Sequence, residues 1–126
     1  MNKYTEIAEA LLKEHNITVR AYRKSLTGVA YIKEREIVVP HPVGKISLLI
    51  FVHEVGHIVN GEIKPRYVEE YLAEKFAIDY FHKIGLRVPR SYVARAKRYV
   101  SFKVRQAKAR NLKHIKHQGV YHFIRR

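Results

Sequence analysis

The sequence predicts an α+β fold: an N-terminal helix, a small, mainly antiparallel three-stranded sheet, an apolar helix, a glutamate-bearing helix, then a long basic C-terminal helix and tail. Three observations carry this prediction. Apolar residues recur at helical spacing near the N-terminus and again from residue 45 onward, while residues 17–39 alternate or run apolar in short bursts between turn residues. The charge is also unevenly placed, which separates the last third from the rest.

Residues 3–14 set Ile7, Ala8, Leu11 and Leu12 on one side and Lys3, Glu6, Glu9, Lys13 and Glu14 elsewhere, an amphipathic helix ending before Asn16. From Ile17 to Arg23 the chain alternates as a strand; Ser25-Leu26-Thr27-Gly28 turns it into a second, Val29 to Lys33. A third, Glu36 to Val39, stops at Pro40-His41-Pro42. Three short strands in succession predict an antiparallel meander. Lys45 to Asn60 is apolar on nearly every face, the mark of a buried helix, and Gly61 is placed to end it. Pro65 opens the next helix, 66–84, with Val68, Leu72, Phe76, Tyr80 and Phe81 as its packing stripe, and Gly85 and Pro89 break the run. The last long helix, 91–112, docks by Val93, Ala96, Val100, Val104 and Ala107. Within the final segment, Val120 to Ile124 is the one stretch with strand character.

The 126 residues suffice for a single core, and the absence of Cys excludes disulfide scaffolds, Cys-based zinc modules and redox thiols. The most apolar stretch, Ile46 to Val52, falls far short of the roughly 20 residues of a membrane span. With no signal-peptide pattern at the N-terminus, the expectation is a cytoplasmic protein without a membrane partner. The net charge of +14 is not shared evenly: residues 1–84 hold 12 Lys/Arg and all 11 acids, residues 85–126 hold 13 Lys/Arg and no acid. The chain therefore divides into a nearly neutral unit, 1–84, and a basic extension, 85–126. In the extension Arg95, Lys97, Arg98, Lys103, Arg105, Lys108 and Arg110, interleaved with Tyr92, Tyr99 and Phe102, are the candidate contacts to nucleic acid or to an acidic, nucleic-acid-bound protein.

Inside the apolar helix stands His53-Glu54-Val55-Gly56-His57, an H-E-x-x-H. Spacing of four brings both imidazoles to one helix face, where they can share one Zn²⁺, and Glu54 projects beside the metal towards its water. Context strengthens the pattern, because unpaired imidazoles and a carboxylate on a buried helix are costly and a cation relieves that cost. On the following helix Glu70, Ala73, Glu74 and Ala77 lie along one side. The alanines permit close approach, and the two carboxylates then face the metal helix.

A helix with H-E-x-x-H, preceded by a small sheet and followed by E-x-x-A-[DE]-x-F-A, resembles the gluzincin zinc metallopeptidases, above all the minigluzincins and the ImmA/IrrE-like peptidase domains. The likeness covers about residues 5–84. It implies that His53, His57 and Glu70 are the zinc ligands, that Glu54 is the general base and acid, and that Glu74 supports a ligand histidine from behind. It implies a peptide or protein substrate, a repressor in the ImmA-like case, added as an extended strand along Glu36 to Val39 at the cleft rim. Only 12 residues separate His57 from Glu70, so choosing Glu70 over Glu69 rests on the register of Ala73, Phe76 and Ala77. Such enzymes commonly stabilise the oxyanion with a downstream residue, for which Tyr121, His122, His117 and His114 are the candidates; one of these histidines, folded across the cleft, would alternatively keep the protein latent. A different class of function, a non-catalytic nucleic-acid-binding protein with a structural zinc site, is opposed by Glu54, since a structural site uses a fourth protein ligand and needs no base.

Overall fold

The computed structural model describes residues 2–109 and 118–125. Five helices and one three-stranded sheet follow in the order α1 (Lys3–His15), β1 (Thr18–Arg23), β2 (Val29–Tyr31), β3 (Glu36–Pro40), α2 (Lys45–Asn60), α3 (Arg66–Lys83), α4 (Arg90–Ala109) and α5 (Gln118–Arg125). The Asn2 side chain caps α1 by accepting from the backbone N–H groups of Tyr4 and Thr5, and Asn16 ends the helix in the left-handed region at φ 53°. Ala8 and Leu11 are the buried residues of its inner stripe.

The sheet is α+β in setting but not a meander. Its order is β1-β3-β2: β3 pairs antiparallel with β2 and parallel with β1, with an irregular register at Arg20. The reason lies in β3 itself. Ile37, Val38 and Val39 are apolar at consecutive positions and all are buried, so this strand gains most from neighbours on both edges. The alternating β1 and the three-residue β2 tolerate an edge. Glu36 to Val39 is accordingly the centre of the sheet and not a rim, which corrects the expected substrate edge; β2 is the strand with an edge towards the cleft. Arg35, at the β2–β3 turn, donates to the carbonyls of His15 and Asn16 and so ties the hairpin to the end of α1.

Helix α2 runs through the middle of the molecule, with Leu48, Leu49, Phe51, Val52 and Val55 fully buried. Helix α3 lies against it. Ala73 and Ala77 are fully buried, and at Gly56 an added Cβ would stand 3.0 Å from the Phe76 side chain, so a glycine in α2 and alanines in α3 together allow the close approach. Helix α4 docks through Tyr92, Ala96, Val100 and Val104, a stripe turned slightly from the expected one. Tyr92 and Ala96 join the core formed by α1, the sheet, α2 and α3, while Val100 and Val104 belong to a smaller cluster with Tyr67, Val68, Tyr71 and Val120. Residues 120–124, expected as a strand, are helical in α5, where Val120 is buried and Phe123 meets Tyr71 edge to face at 5.4 Å. Four-residue spacing of Val120 and Ile124 suits a helix laid on this small apolar cluster. Among the described residues no helix is long and apolar enough to cross a membrane.

Candidate metal centre

One turn of α2 and the start of α3 bring His53, His57 and Glu70 to one point. The Nε2 atoms of the histidines are 3.2 Å apart, and Glu70 Oε2 is 3.5 Å from each. These separations approximate the edge of a tetrahedron with bonds of about 2.0–2.1 Å, for which simple geometry gives about 3.3 Å. The buried group can hold a metal ion, and the donor set of two imidazoles and a carboxylate fits zinc.

Each imidazole is fixed from behind. His53 Nδ1 is 2.7 Å from Glu74 Oε1, and His57 Nδ1 is 3.1 Å from Glu69 Oε2, so a carboxylate sets the tautomer of each ring and leaves Nε2 facing its counterpart. Glu69 also accepts from the Ile63 N–H and from Arg66, while the other nitrogen of the Arg66 guanidinium lies 3.0 Å from Glu70 Oε1. The ambiguity between Glu69 and Glu70 thereby resolves into two roles: one carboxylate turns an oxygen to the imidazoles' Nε2 atoms, its neighbour buttresses His57. Glu74 is held in turn by the Tyr92 hydroxyl, which donates to Oε1 at 2.5 Å.

Burial and charge act against one another here. Glu54, Glu69, Glu70 and Glu74 are each at most 6% exposed, a concentration of carboxylates that a divalent cation offsets. Burial alone would raise the Glu70 pKa, but its contacts with His53 and His57 bring it well below the usual carboxylate range. For His53 burial would favour the neutral ring, yet Glu74 and Glu70 hold its pKa well above 6.5. Burial pushes the Glu54 carboxyl up, partly countered by the two imidazoles. The Tyr92 hydroxyl, raised well above 10.0 by burial and by Glu74, stays a donor.

Glu54 stands apart from the tripod and lines a cleft of about 590 Å³ together with His53, His57 and Glu70. Gly28, in the loop before β2, lies directly upon it: a Cβ there would be 2.6 Å from Glu54 Cγ. Only glycine lets the loop rest on this carboxylate without displacing it. Val29 and Ala30 of β2 line the cleft, as do Tyr92, Arg95, Arg98, Tyr99 and Phe102 of α4.

The basic extension is divided by this geometry. Arg95 and Arg98 are exposed and line the cleft; Arg105 and Lys108 are exposed and do not line it, and Lys97 and Lys103 are half-buried; Arg110 lies outside the described residues. Of the tail candidates, His122 is exposed on α5 and does not line the cleft. His114, His117 and the Tyr121 side chain lie outside the described residues. Sequence reasoning grouped Tyr92 with the aromatics of the basic arm and missed its tie to Glu74; the signal was its place one turn before Ala96, on the docking stripe. Glu69 was seen only as a rival ligand, and Gly28 only as a turn residue. No protein-family model, curated protein or solved structure matches the chain.

Proposed function

We propose that the protein is a zinc-dependent metallopeptidase of gluzincin type, with His53, His57 and Glu70 as the metal ligands. One observation carries the reading: a tripod of ligand atoms 3.2–3.5 Å apart with a separate, buried carboxylate, Glu54, beside it in an open cleft. When bound, zinc supplies Lewis acidity and lowers the pKa of a coordinated water towards about 7. Glu54 takes a proton at its carboxylate as water attacks the peptide carbonyl, and returns it to the leaving nitrogen. Its raised pKa brings it closer to the neutral range in which it must do both. Glu69, Glu74 and Tyr92 hold the ligand side chains in place during these transfers. The substrate adds to β2 as a further strand, since β2 has β3 on one side only and Val29 and Ala30 face the cleft.

A structural zinc site in a nucleic-acid-binding protein is the weaker reading, because no fourth ligand joins the group among the described residues. The direct test is removal of the metal. Treatment with 1,10-phenanthroline reduces hydrolysis of fluorescently labelled, denatured casein to background, and one equivalent of zinc restores it. Undiminished hydrolysis by protein shown metal-free by elemental analysis would contradict the proposal.

For the outer face of α4, where Arg105 and Lys108 are exposed and acids are lacking, we propose sequence-tolerant nucleic-acid binding that localises the enzyme. Each phosphate contact adds about −0.9 to the slope of log K against log salt on duplex DNA. Reversing both charges, R105E with K108E, is expected to flatten that slope by about 2 in an anisotropy titration; identical slopes would remove nucleic acid from this face.

A further inference from the structure

We infer that the cleft selects peptides with an acidic side chain near the scissile bond, held by Arg98 and Arg95 on a subsite floored by Tyr99 and Phe102; the inference rests on the peptidase reading of the metal centre. Positions 95, 98, 99 and 102 follow the i, i+3, i+4, i+7 pattern of one helix face, and all four side chains line the cleft that holds Glu54. Tyr92 of the docking stripe also lines this cleft, one turn before Arg95, whereas Ala96, Val100 and Val104 do not.

The charge is unanswered. Arg66, the other guanidinium of the cleft, is committed to Glu69 and Glu70. Arg95 donates through Nη2 to the Leu26 carbonyl at 3.1 Å, which ties α4 to the loop before β2 but supplies no counter-charge. Among the described residues, no carboxylate lies within ion-pair distance of Arg95 or Arg98. The acids that line the cleft are Glu54, Glu69, Glu70 and Glu74, and of these Glu69, Glu70 and Glu74 are engaged by Arg66, the imidazoles or Tyr92, so neither Arg95 nor Arg98 is neutralised by them. Guanidinium and carboxylate match as bidentate partners.

The apolar surroundings point the same way. Tyr99 and Phe102 of α4 are 42% and 46% exposed, and Leu26 and Val29, which also line the cleft, are 46% and 37% exposed. Four large side chains left open around a single cleft favour an extended segment with apolar residues flanking its acidic one. An anionic nucleic acid shares the charge but not this pairing of β2 edge and apolar walls.

The test uses zinc-loaded, full-length E54Q protein, so that binding is read without turnover, and a fluorescein-labelled Ala/Leu decapeptide carrying one Glu, Gln or Lys at its centre. Anisotropy should show the Glu peptide bound about tenfold more tightly than the Gln peptide, and the Lys peptide weakest. Adding R98Q should erase the Glu preference, and adding R98E should reverse the order of Glu and Lys. Equal affinity for Glu and Gln peptides, or a preference untouched by R98Q, overturns the subsite; so does single-stranded DNA that displaces the peptides in an Arg98-dependent manner. Parallel digestion by the protein with Glu54 intact separates the two readings. Hydrolysis without an acidic preference defeats the subsite alone, whereas Arg98-dependent binding without any hydrolysis defeats the peptidase and leaves the subsite standing.

Discussion

Glu54→Gln protein is expected to bind one zinc ion as tightly as the parent and to hydrolyse peptides about 10²–10⁴-fold more slowly, the range general acid–base catalysis supplies. The geometry makes the two effects separable. Glu54 is not one of the three converging groups, so its amide leaves the tripod and both supporting carboxylates untouched. It is 6% exposed and nearly isosteric with Gln, so packing against Gly28 survives. What disappears is the proton acceptor. Elemental analysis and hydrolysis rates measured on the same preparation decide the matter: full activity, or loss of the metal along with activity, would remove Glu54 from the role of base.

Losing a ligand should have the opposite signature, with the metal and the stability falling together. In metal-loaded protein at a free zinc concentration a thousandfold above the dissociation constant, binding contributes about 4 kcal/mol to the folded state, or about 15 °C in melting temperature for a domain of this size. His57→Ala or Glu70→Gln is expected to abolish that shift, because the remaining buried carboxylates, four in the first variant and three in the second, then lack their counter-ion. Glu69→Gln and Glu74→Gln, which only loosen the orientation of an imidazole, should weaken zinc binding by about 10–100-fold. The shift also depends on pH. In metal-free protein the raised His53 pKa gives a stabilising contribution that is full below about pH 6.5 and is lost as pH rises through the folded-state value. Zinc must displace that proton, so the metal-induced rise in melting temperature grows with pH. A zinc shift retained in His57→Ala would exclude the proposed ligand set.

Much of the centre was legible because it is local. Residues four apart on one helix face each other whatever surrounds them, so His53 with His57 and Glu70 with Glu74 can be paired from spacing alone. The apolar character of residues 46–59 likewise required α2 to be buried, and it is. The sheet was less legible. Adjacent strands in sequence suggest hairpins, but Ile37, Val38 and Val39 compete for the centre, and that competition is settled by burial across the whole sheet. For residues 120–124, four apolar side chains in five residues fit either period, and only the apolar cluster beneath them selects the helix.

What the sequence alone determined is therefore the class of fold, the pair of histidines, the carboxylate between them and the helix that faces them, all consequences of periodicity within single elements. The tertiary structure decided how those elements meet. It assigned Glu69 to His57 and Glu70 to the tripod, placed Tyr92 behind Glu74, and turned Arg95 and Arg98 into the cleft while Arg105 and Lys108 stayed outside. Such assignments depend on the rotation of one helix about its axis against another, a matter of about 100° per residue. Close packing at Gly56, Phe76, Ala73 and Ala77 sets that rotation between α2 and α3, and the docking stripe of α4 sets the rest.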